Sequence, residues 1–343
     1  MAEKSAQQAR MIELIKRLAP TEGYTQSALD SVTFMRSNRS IPRTQALYEP
    51  SIVIVLQGKK RGYYGGEMIV YDAGHYLALS VPLPFSTQTE ASEAEPMLGL
   101  AVRMDAAITA ELAMGVDETA PQHANKAATL YATPIDVKLE DTVLRLLEAL
   151  SSPLESRLLA PSIVREITFR VLTSEQAGGL RAAMLQDGHF GRIAKVLRHI
   201  HGEFSNNLDV GTLAREAHMS VAAFHNHFKA VTQTSPIQYI KAIRLHQARL
   251  MMIRKGISAS SASQQVGYES ASQFSREFKR LFGRSPKEEA QYLKELLALS
   301  GPVVDARDVD EPRLTCRRVN STAFQPSCQT PPIIPHACWV SAS

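Results

Sequence analysis

The sequence predicts an α+β protein of two domains, β-rich in its first half and all-helical in its second, and three observations carry that prediction. Short runs rich in Val, Ile and Tyr recur between Val32 and Met104 with turn residues between them. From Asp105 onward the apolar spacing becomes that of helices. Residues 192–290 then contain one motif twice, at a constant offset of 50 residues.

The chain has 343 residues, 44% hydrophobic and 21% charged, which gives room for two separately cored domains. Its first ten residues are polar and no run of 18 apolar residues occurs, so neither a signal peptide nor a membrane span is expected and the chain should stay in the cytoplasm. Cys316, Cys328 and Cys338 form no CxxC pair and fit a reducing compartment; a zinc site is not expected. Charge is unevenly spread. Residues 1–191 hold 18 Lys and Arg against 22 Asp and Glu, whereas residues 192–290 hold 15 against 7. Clustered cations of this kind suit a polyanion.

The elements follow in order. Residues 1–20 read as a helical arm, with Met11, Leu14, Ile15 and Leu18 at helical spacing before Pro20. Residues 30–105 read as a small antiparallel barrel or sandwich: Ser51–Leu56, Glu67–Tyr71, Tyr76–Ser80 and Leu98–Val102 are strands, and Gly58, Gly65-Gly66 and Gly74 mark turns. Lys59-Lys60-Arg61, following Gly58, reads as a solvated hairpin tip. Helices return over 105–185, with Leu139, Val143, Leu146, Leu147 and Leu150 on one face and Ile163, Ile167, Val171 and Leu172 on another. They either close the first domain or form a dimer interface. Gln176-Ala-Gly-Gly179 reads as a hinge into a second domain over 189–290, and the Pro-, Ser- and Thr-rich tail at 301–343 as disordered.

The repeat pairs Ser220 with Ser270, Phe224 with Phe274, Phe228 with Phe278, Lys229 with Lys279, and Ser235-Pro236 with Ser285-Pro286. Each copy has the logic of a helix-turn-helix: a short helix, a turn, a Ser cap, then a second helix whose two Phe, spaced i and i+4, face inward. The first motif spans about 209–231 and the second about 258–282. Pro236–Met252 forms the linker helix between them, about 236–254 overall and amphipathic, long enough to set the two second helices about one DNA turn (~34 Å) apart. The outer faces then supply candidates. Ala222, His225 and Asn226 in the first copy, and Ala271, Ser272, Gln273 and Arg276 in the second, are placed to meet base edges. Ser220, Lys229, Arg244, Ser270, Lys279 and Arg280 are candidates for phosphate. The two outer faces differ, so an asymmetric, non-palindromic half-site is expected.

This arrangement resembles the C-terminal domain of the AraC/XylS family of bacterial transcription regulators. The resemblance rests on Leu213-Ala-Arg-Glu-Ala217 with Met219-Ser220, on Ser235-Pro236 with Tyr239, Arg244-Leu245 and Ala248, and on Val266-Gly-Tyr268, Phe278-Lys279 and Gly283-Arg-Ser-Pro286. Ser263 stands where the family usually has Ala, which implies a more polar and less stable helix. Ala19–Tyr24, Tyr48–Ser51, Val55–Tyr63 and Tyr71–Tyr76 are similar to the N-terminal domain of one AraC-type subgroup, with a cupin-like barrel. The resemblance implies a sensor and dimerisation domain over 21–185, an unidentified small-molecule effector, promoter DNA and RNA polymerase as partners, a possible homodimer, and activation more often than repression, in the bacterial cytoplasm at the nucleoid.

Tyr48, Tyr63, Tyr71, His75 and Tyr76 are the candidates for an effector pocket. No cofactor and no metal is expected: His75 is the only histidine of the barrel segment, and a cupin metal site needs several converging ligands. His225 and His227 lie two apart on a helix and do not pair. No paired-acid motif, phosphate loop or nucleophile elbow occurs, so an enzyme is not expected. A cupin-type enzyme fused to a DNA-binding module, and an architectural protein with a purely dimerising first domain, are the competing readings.

Overall fold

The structure, a computed structural model, describes residues 6–119, 128–185 and 188–298. The expected tail, with its three cysteines, lies outside the described residues.

The first domain is built on two antiparallel sheets. One has six strands in the order β1 (Gly23–Gln26), β2 (Val32–Ser37), β9 (Met97–Arg103), β4 (Ser51–Gln57), β7 (His75–Leu79) and β10 (Leu130–Pro134). The other has four, in the order β3 (Ile41–Tyr48), β8 (Leu83–Glu90), β5 (Lys59–Tyr64) and β6 (Glu67–Asp72). Strand β4 shows why its sequence is apolar throughout. Successive side chains of a strand point to opposite faces: Val53 and Val55 enter the core between the sheets, with Tyr71, Leu83 and Phe85, while Ile52, Ile54 and Leu56 enter a second core beneath helices. With both faces covered, alternation disappears.

That second core takes its helical wall from α1 (Ala6–Leu18), which packs against β4, β9 and α3 (Val137–Leu150). Met11, Ile12, Leu14 and Ile15 are buried, so the segment expected as an arm is part of the core. Helices α2 (Ala106–Thr119), α4 (Pro153–Leu158), α5 (Ala160–Leu172) and α6 (Gly178–Leu185) complete this layer. The side chains of Asp136 and Ser152 cap α3 and α4 by accepting from Leu139 N and Glu155 N. The expected hinge at 176–179 is instead packed: Ala177 is buried, Gly178 and Gly179 begin α6, and a Cβ on Gly179 would come within 2.2 Å of the Ala128 carbonyl oxygen. Backbone crowding, not flexibility, requires that glycine.

The Lys59-Lys60-Arg61 segment is also corrected. It starts strand β5, paired on both sides with β6 and β8, and the hairpin apex is Gly65-Gly66, both at positive φ. Lys60 is 5% exposed, with its ammonium on Thr89 Oγ1 at 3.1 Å.

The second domain is helical: α7 (Gly188–Gly202), α8 (Val210–Glu216), α9 (Val221–Thr232), α10 (Pro236–Arg254), α11 (Ala259–Gln265), α12 (Ala271–Phe282) and α13 (Pro286–Ala298). Asp209, Ser220, Ser235, Ser258 and Ser270 cap α8 to α12 in turn, each accepting from a backbone N–H three residues on. The linker helix α10 is not amphipathic in the expected sense. Tyr239, Ile240 and Ile243 join the core of the first helix-turn-helix, Leu245, Ala248 and Met252 that of the second, and His246 and Arg249 are buried as well. A helix packed on several sides has no polar face to display.

The two cores are unequal. Phe224, Phe228 and Tyr239 of the first helix-turn-helix are continuous with the core beneath the six-stranded sheet, whereas Phe274, Phe278 and Tyr268 of the second belong to a separate cluster. The first motif is therefore docked on the first domain through apolar contact.

Candidate nucleic-acid interface

Both helix-turn-helix turns use the same backbone device. Met219 N donates to Ala214 O and His218 N to Arg215 O; in the second copy Tyr268 N donates to Ser263 O and Gly267 N to Gln264 O. This crossed pair closes a helix through one left-handed residue, which is His218 at φ 52° in the first turn and Gly267 at φ 80° in the second. Gly267 is doubly required, because a Cβ there would come within 2.3 Å of Ser205 O. The first helices of the two motifs thus correspond at an offset of 49 residues and the second helices at 50, the extra residue, Glu269, lying in the second turn. Ser263 is the counterpart of Ala214. Its hydroxyl is buried but satisfied, donating to Ser260 O at 2.8 Å.

Inward, α9 places Phe224 and Phe228 with ring centroids 5.4 Å apart, and Phe228 meets Tyr239 edge-on at 5.4 Å. Outward, Ala222, Asn226 and Lys229 are exposed and His225 is half-buried at the margin. His227 is turned away and stacks on His189 of α7 at 3.9 Å. Burial, then the neighbouring His189 and Arg192, holds His227 below the usual histidine pKa. On α12, Phe274 and Phe278 face inward while Ala271, Ser272, Gln273, Arg276, Lys279 and Arg280 are all exposed. Ser220 and Ser270 accept from Ala223 N and Gln273 N, both at 3.3 Å, which leaves each hydroxyl proton free to be donated outward.

Arg244 is placed differently from expectation. Its guanidinium donates to three backbone carbonyls, from Nε to Phe204 O at 2.7 Å, from Nη1 to Gly267 O at 3.1 Å and from Nη2 to Asn206 O at 2.7 Å. It clamps the loop after α7 to the second turn and commits three of its five N–H donors to backbone carbonyls.

The five effector-pocket candidates are not brought together. Tyr48 and Tyr71 share the inner face of the four-stranded sheet, with Tyr48 against Phe85 at 4.9 Å. Tyr76 lies on the opposite side of the six-stranded sheet, edge-on to Tyr131 at 6.4 Å. Tyr63 is on the outer face under Arg43, and His75 pairs with Asp72 at 2.8 Å at a strand end. The residue that the sequence reading missed is Lys60. It lies opposite Tyr71 and Thr89 in register, on the inner face with Tyr48 and Tyr71. Among the described residues no carboxylate pairs with it, and burial lowers its pKa, opposed by the Tyr24 phenol.

Several polar contacts join the two domains. Tyr64 Oη donates to Val231 O, and Thr129 Oγ1 donates to the same carbonyl at 2.9 Å. Tyr239 Oη donates to Pro82 O at 2.7 Å and accepts from His201 Nε2 at 3.0 Å. Arg249 Nη2 donates to Gln45 O at 2.9 Å, and its Nη1 donates to the buried Glu289 at 3.3 Å.

A β-rich domain docked on a tandem helix-turn-helix, with exposed polar faces on both second helices, defines a regulator-type chain. Residues 28–179 match the family described as AraC-type transcriptional regulator N-terminus, and residues 213–291 match that described as Helix-turn-helix domain. The chain belongs to the AraC family of transcriptional regulators. Similar curated proteins include the Msm operon regulatory protein of Streptococcus mutans, 27% identical over 94 residues that make up 27% of this chain and 34% of that protein. Another is the RCS-specific HTH-type transcriptional activator RclR of Escherichia coli, 36% identical over 25% of this chain and 31% of that protein. The chain thus spans about a third of the length of these relatives. Among solved structures, ToxT from Vibrio cholerae is similar in fold, with a TM-score of 0.53 at 12% identity, covering 76% of this chain and 97% of that one.

Proposed function

We propose that this chain is a sequence-specific DNA-binding transcription regulator, an effector-responsive activator that reads promoter DNA through α9 and α12 in successive major grooves. The observation that supports this most is the pair of Ser-capped helices with exposed polar faces that flank one 19-residue helix in the chain. That helix is about 28 Å long at ~1.5 Å per residue, comparable to one turn of DNA. In this reading residues 189–290 bind DNA and residues 21–185 sense an effector and dimerise, and the bound protein recruits RNA polymerase. No enzymatic step is assigned. Among the described residues no helix is long and apolar enough to cross a membrane, and no group of metal-binding side chains occurs.

The effector contact we favour is Lys60. A buried ammonium facing only a threonine hydroxyl and phenols carries a charge that an acidic ligand neutralises. Such a ligand would act on DNA binding through the domain contacts at Val231, Pro82 and Gln45. Footprinting on the chain's own upstream region at physiological salt tests the function. A protected site that survives competitor DNA is expected, and uniform, competitor-sensitive binding would refute the reading.

A further inference from the structure

Glu277 lies on α12 one helical turn after Gln273, with its side chain only 13% exposed. Three elements meet on this carboxylate. Lys241 Nζ of α10 donates to Oε1 at 2.6 Å, Tyr268 Oη of the second turn donates to Oε2 at 2.7 Å, and Gln273 Nε2 of α12 donates to Oε1 at 3.2 Å. Burial pushes the Glu277 pKa up, but Lys241, Tyr268 and Gln273 together outweigh it and hold the carboxyl below its ordinary range. The group is therefore ionised at neutral pH, and an ionised carboxylate only accepts hydrogen bonds.

Acceptance has a consequence for Gln273. Its amide must turn the nitrogen toward Glu277, because the flipped amide would set a carbonyl oxygen against a carboxylate oxygen. One N–H is consumed there. The carbonyl oxygen and the second N–H remain, on an exposed residue in the first turn of the second recognition helix. An acceptor beside a donor is the pattern that takes adenine N6–H and N7 together in the major groove. The first motif has no such lock: the counterpart of Glu277 is His227, turned away onto His189, and the counterpart of Gln273 is Ala223.

We infer that Glu277 is a positioning residue for base recognition, fixing the Gln273 amide in the orientation that selects adenine at one position of the site. This rests on the reading of the chain as a DNA-binding regulator. The test is selection from randomised duplexes by the full chain, followed by affinity ratios for single-base variants of the selected site, with wild type, Gln273→Ala, Glu277→Gln and Glu277→Asp.

Wild type should prefer adenine at one position about tenfold or more, and Gln273→Ala should abolish that preference and so identify the position. Glu277→Gln frees the amide to turn either way and should cut the preference to about threefold or less at that position alone. Because it also removes a negative charge near phosphate, it should raise affinity for every sequence; the ratio, not the affinity, is the readout. Glu277→Asp keeps the charge and the partner of Lys241 but shortens the reach to Gln273, so it should give the same local loss and serves if Glu277→Gln does not fold. An unchanged ratio in these variants, with affinity shifted equally on all sequences, would overturn the inference. Wild type without any base preference would overturn the DNA-binding reading along with it.

Discussion

The hydroxyl of Tyr64, in strand β5 of the four-stranded sheet, donates to the carbonyl of Val231 in the last turn of α9. Carbonyls at a helix C-terminus lack intrahelical partners, and here Tyr64 and Thr129 both serve the same one. Close by, a Cβ on Gly65 would meet Gln233 at 3.0 Å, so the hairpin apex also lies against the residue that ends α9. Tyr64→Phe should cost about 1 kcal/mol of stability. It should also speed amide exchange in the last turn of α9 and at the β5–β6 apex together. Faster exchange confined to the first domain would show that this contact does not couple the domains.

Lys60 makes a pH prediction. Burial lowers its pKa in the folded state relative to the unfolded chain. Between the two values the unfolded state binds more protons, so stability rises with pH across that window, and below it the charged lysine subtracts from stability. Lys60→Met should raise stability at neutral pH by at least about 1 kcal/mol and should remove the rise on the alkaline side. Urea unfolding at several pH values would show it. A variant whose curve keeps the wild-type slope would assign that slope to another group.

Arg244 tests structure against DNA contact. Loss of its guanidinium leaves three carbonyls, on two loops, without donors. Arg244→Met should therefore cost about 2–4 kcal/mol of stability. Lysine should not rescue, because a point charge cannot serve three carbonyls in a planar fork. The salt dependence of DNA binding by the folded fraction should stay as in wild type. A salt slope lower by about 1 would make Arg244 a phosphate contact after all.

What could be read from sequence had a local period or a local pair behind it. The Phe224–Phe228 and Phe274–Phe278 spacings, and the Ser residues ahead of them, state a face and a cap within a few residues, and helices α9 and α12 follow. The misread residues depend on partners far along the chain. Lys60 looks solvated until its register with Thr89, 29 residues away, places it between the sheets. Arg244 finds its acceptors 40, 38 and 23 residues away, all on backbone, and so leaves no side-chain pattern to detect. Gln176–Gly179 has the composition of a hinge, but only the neighbouring Ala128 backbone shows that its glycine is there for space.

Ser263 bears on the stability of the second motif. In the first motif Ala214 fills the same place, and the Ser263 hydroxyl is satisfied only by bonding back along its own helix. Ser263→Ala removes no partner of another element and favours helix, so it should add about 0.5 kcal/mol to the second motif. Thermal unfolding would register this, with DNA affinity unchanged. A destabilised variant would mean that the hydroxyl has a role beyond its own turn.

Arg276 and Lys279 are both exposed on α12, three residues apart, yet they are expected to fail in different ways. A guanidinium fork matches guanine O6 and N7, so Arg276→Ala should relax preference at one base pair and cost about 1–3 kcal/mol on the preferred site, with little loss on sites already mismatched there. Lys279 sits near the helix C-terminus, where a flexible ammonium suits the backbone. Lys279→Ala should weaken all sequences alike and lower the salt slope by about 1. Titrations of both variants against matched and singly mismatched duplexes, at two salt concentrations, separate the two roles. An Arg276 variant that loses affinity equally on every duplex would move that residue to the phosphates, and base reading by this helix would then rest on Gln273 and its neighbours Ala271 and Ser272 alone.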